Sequence, residues 1–128
     1  MTVLLDTHTL LWSFISTKSL SKEASEILRD KSTEILVSAA SAWEIATKVR
    51  IGKLPEAEAL EVRFLEALQE VGFVLVPISA ETALRAGRLT ADHGDPFDRM
   101  IAAQALALDI PVISIDAKLD QFGVRRIW

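Results

Sequence analysis

Apolar positions along the chain switch between two patterns. Short unbroken apolar runs alternate with stretches in which apolar residues return every three or four positions. The first pattern marks buried strands and the second marks one-sided helices. Thr2–Leu5 is a strand ending at Asp6, and Thr7–Ile15 is a helix with Leu10, Leu11, Phe14 and Ile15 on one side. Ser21 is placed to cap a helix over Lys22–Lys31, and Glu34–Ser38 is a second strand. Ala39–Arg50 is helical and stops before Gly52. Pro55 opens one long helix, Glu56–Val71, with Leu60, Phe64, Leu65 and Leu68 at helical spacing and Gly72 at its end. Phe73–Val76 is a third strand, and Ser79 caps a helix over Ala80–Leu89. After the polar turn Thr90–Asp95, Pro96 starts the helix Phe97–Leu108. Ile110–Ile115 is a fourth strand ending at Asp116, and Val124–Trp128 is a short last one.

Strands that alternate with helices and are apolar throughout predict an α/β/α sandwich, with a mostly parallel sheet of four to five short strands. The helix carrying Leu60 and the helix before it are expected to pair on one side. No repeat or linker interrupts the 128 residues, so one domain, 1–128, is expected.

Composition narrows the chemistry. There is no cysteine, which excludes zinc ribbons and thiol nucleophiles, and the two histidines, His8 and His93, cannot form an all-histidine zinc site. The 18 acids outnumber the 14 bases, the wrong sign for a simple electrostatic binder of nucleic acid. Setting four acids on metal ions leaves the remainder balanced. Mean hydropathy is +0.28, an apolar excess that fits a surface covered by a partner. No apolar run spans a membrane and no basic segment precedes TVLLD, so a cytoplasmic protein is expected.

In open α/β sheets, ligands bind beyond the carboxyl ends of the strands. Asp6 and Asp116 stand at such ends. Glu44 lies in the helix following EILVS, and Asp98 lies in the first turn of the helix leading into the fourth strand. A parallel sheet brings these acids to one rim. Oxygen ligands of this kind suit Mg²⁺ or Mn²⁺, ions that nucleases use to activate water and stabilise in-line phosphoryl displacement. Each acid also has a plainer reading. Asp6 and Asp116 can end strands as turn residues. Glu44 can complete a capping box with Ser41, and Asp98 can complement a helix terminus. Asp95 reads as the cap before Pro96, and Asp120 as a solvated turn acid or an outer member of the cluster. Lys48, His93, Arg99 and Lys118 are candidate RNA phosphate contacts. Against that, Lys48 also reads as an ordinary helical partner of Glu44, and the other three as solvated side chains. Trp12 and Trp43 fall beside the rim, where packing is favoured over base stacking.

The strings LLDTHTLLW, SAASAWEIATKVRIGKL, HGDPFDRMIAAQAL and PVISIDAKLDQFGV, in this order and spacing, resemble a PIN domain of the VapC type, the toxin of bacterial toxin–antitoxin pairs. The resemblance runs from Val3 to Trp128 and puts the family's acids on Asp6, Glu44, Asp98 and Asp116. It implies a Mg²⁺- or Mn²⁺-dependent endoribonuclease that blocks translation, forms a homodimer and is silenced by a cognate antitoxin. His8 departs from the asparagine that many relatives carry after the Asp-Thr pair. Two rival functions stand beside this one: a PIN nuclease of RNA processing, and an inactive PIN binding module, which retention of all four acids disfavours. A phosphatase with an aspartyl nucleophile would want a second acid where His8 stands.

Overall fold

The computed structural model describes residues 1–128. Five strands, β1 (Thr2–Leu5), β2 (Glu34–Ser38), β3 (Val74–Val76), β4 (Val112–Ile113) and β5 (Arg126–Ile127), form one sheet in the order β3-β2-β1-β4-β5. Every pairing is parallel. The expectation of an α/β/α sandwich is met, and the sheet is wholly rather than mostly parallel.

β1 is the central strand, and its alternation divides the core. Val3 and Leu5 join Leu10, Leu11, Ile35, Val37, Ile45, Phe64 and Leu68 on one face, while Leu4 joins Leu36, Ile101, Ala105, Val112 and Leu119 on the other. A strand buried on both faces must be apolar at every position, which is why TVLL carries no polar alternation. The first face is covered by α1 (Thr7–Ile15), α2 (Lys22–Arg29), α3 (Ala39–Arg50), α4 (Glu58–Val62) and α5 (Phe64–Val71). The second is covered mainly by α7 (Pro96–Leu108), against which α6 (Ala80–Arg88) packs.

Three elements differ from the sequence reading. The long helix expected over 56–71 is broken: a 3₁₀ turn at Pro55–Ala57 leads into α4, and α5 begins after Arg63. The break lets α4 pack on α3 while α5 packs on β3. The strand expected over 110–115 pairs only at Val112–Ile113. Pro111 has no N–H to extend the ladder, and the Ser114 side chain turns toward Asp6. Asp116 then caps a 3₁₀ helix, Ala117–Phe122, where no element was expected, and Gly123 closes it in the left-handed conformation, φ 80°. No helix is long and apolar enough to cross a membrane.

Candidate active site

Parallel strands with right-handed connections send every chain segment out of the same edge of the sheet, so residues just after β1, β2 and β4 are neighbours by construction. Asp6 follows β1 and is 4 % exposed. It caps α1: its Oδ1 accepts the Thr7 N–H at 2.7 Å, and its Oδ2 accepts the Ser114 hydroxyl at 2.7 Å. Burial pushes its pKa up to about 6, with the charge of Asp98 adding to the rise; the Ser114 and Thr7 hydrogen bonds and the nearby His8 oppose it.

Glu44 comes from α3 and is also 4 % exposed. Its Oε2 accepts the Lys48 ammonium, one helical turn on, while its Oε1 is buried with no hydrogen-bond partner. The capping-box reading is corrected here. Ser38 caps α3 by accepting the Ala40 N–H, and Ser41 instead bonds the Thr7 hydroxyl at 2.9 Å. Glu44 is therefore left without a role in the helix terminus. Burial lowers the proton affinity of Lys48, but its bond to Glu44 and the charges of Glu44, Asp95 and Asp98 outweigh that and hold its pKa above the ordinary value.

Asp98 occupies the first turn of α7. Asp95 is the cap, accepting the Asp98 N–H at 2.9 Å, which leaves the Asp98 carboxylate free of capping. Its Oδ2 lies 2.7 Å from His93 Nε2. Burial raises its pKa, the His93 hydrogen bond lowers it, and the charges of Asp95 and Glu44 raise it again. Asp116 reaches the same place from the end of β4. Its N–H donates to Ser114 Oγ at 3.0 Å, and its Oδ1 accepts the Lys118 N–H at 3.0 Å. Ligand atoms of His93, Asp98 and Asp116 all lie within 4.8 Å of one another.

The acids on the rim are thus held by small polar residues that periodicity did not single out. Ser114 links Asp6 to Asp116, Thr7 links α1 to Ser41 on α3, and Thr9 donates to the Ile113 carbonyl at 2.8 Å. Ser114 and Ser41 are fully buried. A serine inside an apolar strand run such as PVISI is the one sequence signal that marks such a role, because a buried hydroxyl needs a partner.

Three other candidates have surroundings of their own. Arg99 is not available to a phosphate. Its guanidinium donates to the carbonyls of Ala86, Gly87, Leu89, Ala91 and His93, which engages its full set of N–H donors. Asp120 is exposed, as the solvated reading expects, and lies in the 3₁₀ helix outside the site. It holds Arg126 through two bonds, 2.9 and 3.2 Å, and the Arg126 guanidinium keeps its carboxyl below the usual carboxylate range. Trp43 is 59 % exposed, edge-on to Phe97 at 4.6 Å, and is not a core residue. Lys118 is exposed beside Asp116, and His8 is exposed beside Asp6.

The donor set fits a hard divalent cation. Carboxylates from separate segments face one another with few intervening cations, and a buried carboxylate oxygen lacks the partner that an ion would provide. Without such a charge, mutual repulsion and burial are what raise the pKa values of Asp6 and Asp98.

Known proteins resemble this chain to different depths. A segment of 66 residues, 52 % of the chain, is 39 % identical to a protein named Ribonuclease VapC16 from Mycobacterium tuberculosis, and spans 45 % of that relative. The chain thus covers about half the length of the curated relative that it matches. Among solved structures, VapBC2 from Rickettsia felis bound to a promoter DNA fragment superimposes with a TM-score of 0.73 at 18 % identity, covering 99 % of this chain and 98 % of that one. VapBC-1 from nontypeable Haemophilus influenzae gives 0.65 at 17 % identity, covering 99 % and 97 %. FitAcB from Neisseria gonorrhoeae gives 0.63 at 19 %, covering 98 % and 96 %. At these identities the likeness is one of fold. The family profile described as PIN domain matches residues 3–124, which take in β2, β3, β4, nearly all of β1, and Asp6, Glu44, Asp98 and Asp116, and the chain belongs to the PIN domain family.

Proposed function

We propose that this protein is a metal-dependent endoribonuclease of the toxin type, which cleaves RNA and thereby inhibits translation. What supports the reading is the approach of ligand atoms of Asp98 and Asp116, the charges of Asp98 on Asp6 and of Glu44 on Asp98, and a buried Glu44 oxygen left unpartnered. Mg²⁺ or Mn²⁺ is the cofactor that such oxygens select. When bound, the ion activates water and balances charge on a phosphate undergoing in-line displacement.

The chain's own residues prepare that chemistry. Asp6, Glu44, Asp98 and Asp116 are the residues that would hold the ion. Ser114 fixes Asp6 and the Asp116 backbone relative to each other. Lys48 orients Glu44 and offsets part of the local negative charge while the site is unloaded. Arg99 does not touch substrate; it gathers the segment from Ala86 to His93 and so positions the start of α7. Lys118, exposed next to Asp116, is the side chain best placed to approach an RNA phosphate. No separate general base is assigned.

A solved structure of the same fold described as a toxin–antitoxin complex from Klebsiella pneumoniae supports a further element, a cognate antitoxin that silences the enzyme. A basic antitoxin side chain, an arginine above all, matches the carboxylate rim bidentately. The apolar excess and exposed Trp43, Val62, Leu65 and Val71 support a homodimer in addition. The test is induction of the wild-type chain and of Asp6→Asn in a bacterial host. Growth arrest by the wild type alone supports the reading. Equal arrest by both, or arrest with intact RNA, overturns it.

A further inference from the structure

The rim holds one ligand that is not a carboxylate. His93 contributes a nitrogen to the group in which ligand atoms of Asp98 and Asp116 lie within 4.8 Å. Its imidazole is built into that place. Nε2 lies 2.7 Å from Asp98 Oδ2, and the ring packs tilted against Phe122 with centroids 5.8 Å apart. The His93 carbonyl is held by Arg99 at 2.9 Å, and its side chain is only 16 % exposed. A solvated loop histidine has none of these restraints. Independently, the buried Glu44 beside this group carries an oxygen with no partner, and its charge acts on Asp98. A buried carboxylate oxygen thus lacks a partner beside the group, and a nitrogen donor stands at its edge.

We infer that His93 is itself a metal ligand, acting with Asp98 and Asp116, and that it tilts the site toward Mn²⁺ over Mg²⁺. The inference rests on the metal-dependent reading above. Mg²⁺ is satisfied by oxygens alone, whereas an imidazole nitrogen adds affinity for first-row transition ions. Ligation requires a neutral ring with its single hydrogen on Nδ1, which frees Nε2, the nitrogen that faces Asp98. The packing against Phe122 and the Arg99 clamp keep the ring aimed at the site while this exchange occurs.

Mn²⁺ reports its own ligands. Purified full-length protein is loaded with Mn²⁺, and its electron spin-echo envelope is recorded for the wild type, His8→Gln and His93→Gln. The chain has two histidines, so His8→Gln leaves His93 as the sole imidazole. Nitrogen modulation in the wild type and in His8→Gln, shifting to the ¹⁵N pattern on histidine labelling, assigns His93 as a ligand even if His93→Gln fails to fold. Folded His93→Gln should lack the modulation, and about tenfold less Mg²⁺ should displace its Mn²⁺, in line with the cost of disturbing a metal shell. Bound Mn²⁺ without nitrogen modulation, or modulation lost in His8→Gln, overturns the assignment while leaving the metal-dependent reading intact. Absence of any Mn²⁺ or Mg²⁺ binding by the wild type overturns that reading and the assignment with it.

Discussion

The Ser114 hydroxyl donates to Oδ2 of Asp6 at 2.7 Å, joining two residues 108 positions apart. Ser114 Oγ in turn accepts the Asp116 N–H at 3.0 Å, so one hydroxyl sets the spacing of two acids. Ser114→Ala removes that donor and leaves a buried carboxylate oxygen without it. The expected results are a loss of about 1–3 kcal/mol in stability and a drop of roughly 10–100-fold in metal affinity. Chemical denaturation and metal titration of the variant check both; unchanged values in both would show that the link is incidental.

Asp6 makes the metal-free fold pH-dependent. Burial and the charge of Asp98 lift its pKa from 3.8 to about 6, so the folded state binds this proton more tightly than the unfolded state does. The stabilisation from that proton is complete below pH 3.8 and is lost as pH rises through 6. Asp6→Asn keeps the cap on α1, because asparagine caps about as well as aspartate, but it carries no charge. In EDTA at pH 7.5 it should be more stable than wild type by about 1–3 kcal/mol, and the gap should close at pH 4. Millimolar Mg²⁺ should raise the wild-type melting midpoint and move the variant much less. Equal responses to the ion would remove Asp6 from the metal site.

Arg99 separates a structural cation from a substrate contact. Its five carbonyl partners span Ala86 to His93, and its guanidinium stands 5.8 Å from the Phe122 ring centroid. Arg99→Ala should cost about 2–4 kcal/mol of stability. Arg99→Lys should rescue little of it, since one ammonium cannot replace a planar fork of donors. By contrast, Lys118→Ala should leave stability within about 0.5 kcal/mol of wild type and weaken RNA binding with a shallower salt dependence. Denaturation curves and binding isotherms at two salt concentrations distinguish the two residues; a strong loss of RNA affinity in a fully stable Arg99→Lys would contradict this division.

The partner surface is testable by mass. Val62, Leu65 and Val71 on α4 and α5 and Trp43 on α3 each expose at least half their surface, a pattern that fits association. Light scattering at micromolar concentration should give twice the chain mass. A monomer at that concentration would count against the homodimer.

Much of this was legible before any coordinates. The run AASAWEIATKVR reads as one helix, and α3 occupies Ala39–Arg50 from end to end. The unbroken apolar strands imply a parallel sheet, and a parallel sheet by itself brings Asp6 and Asp116, each just past a strand, to one edge. What escaped the reading depends on pairings between distant side chains, which leave no periodicity. Arg99 looks like a surface cation in PFDRM until its carbonyl partners are seen, and the pairing of exposed Asp120 with Arg126 from β5 leaves no trace in the pattern. The break at Arg63 lies inside an uninterrupted helical pattern and follows from packing two short helices on different neighbours. Ser114 reads in the sequence as one more strand residue, although its buried hydroxyl bonds Asp6 and the Asp116 backbone.

Cleavage of a labelled RNA by the purified protein, first in excess EDTA and then after adding Mn²⁺ or Mg²⁺, tests the central claim most directly. With the ion removed the account predicts no cleavage, full recovery on adding it back, and no recovery for Glu44→Gln, whose orphaned oxygen is the site's clearest demand for a cation. Undiminished cleavage in excess chelator, or a Glu44→Gln protein as active as wild type, would contradict it.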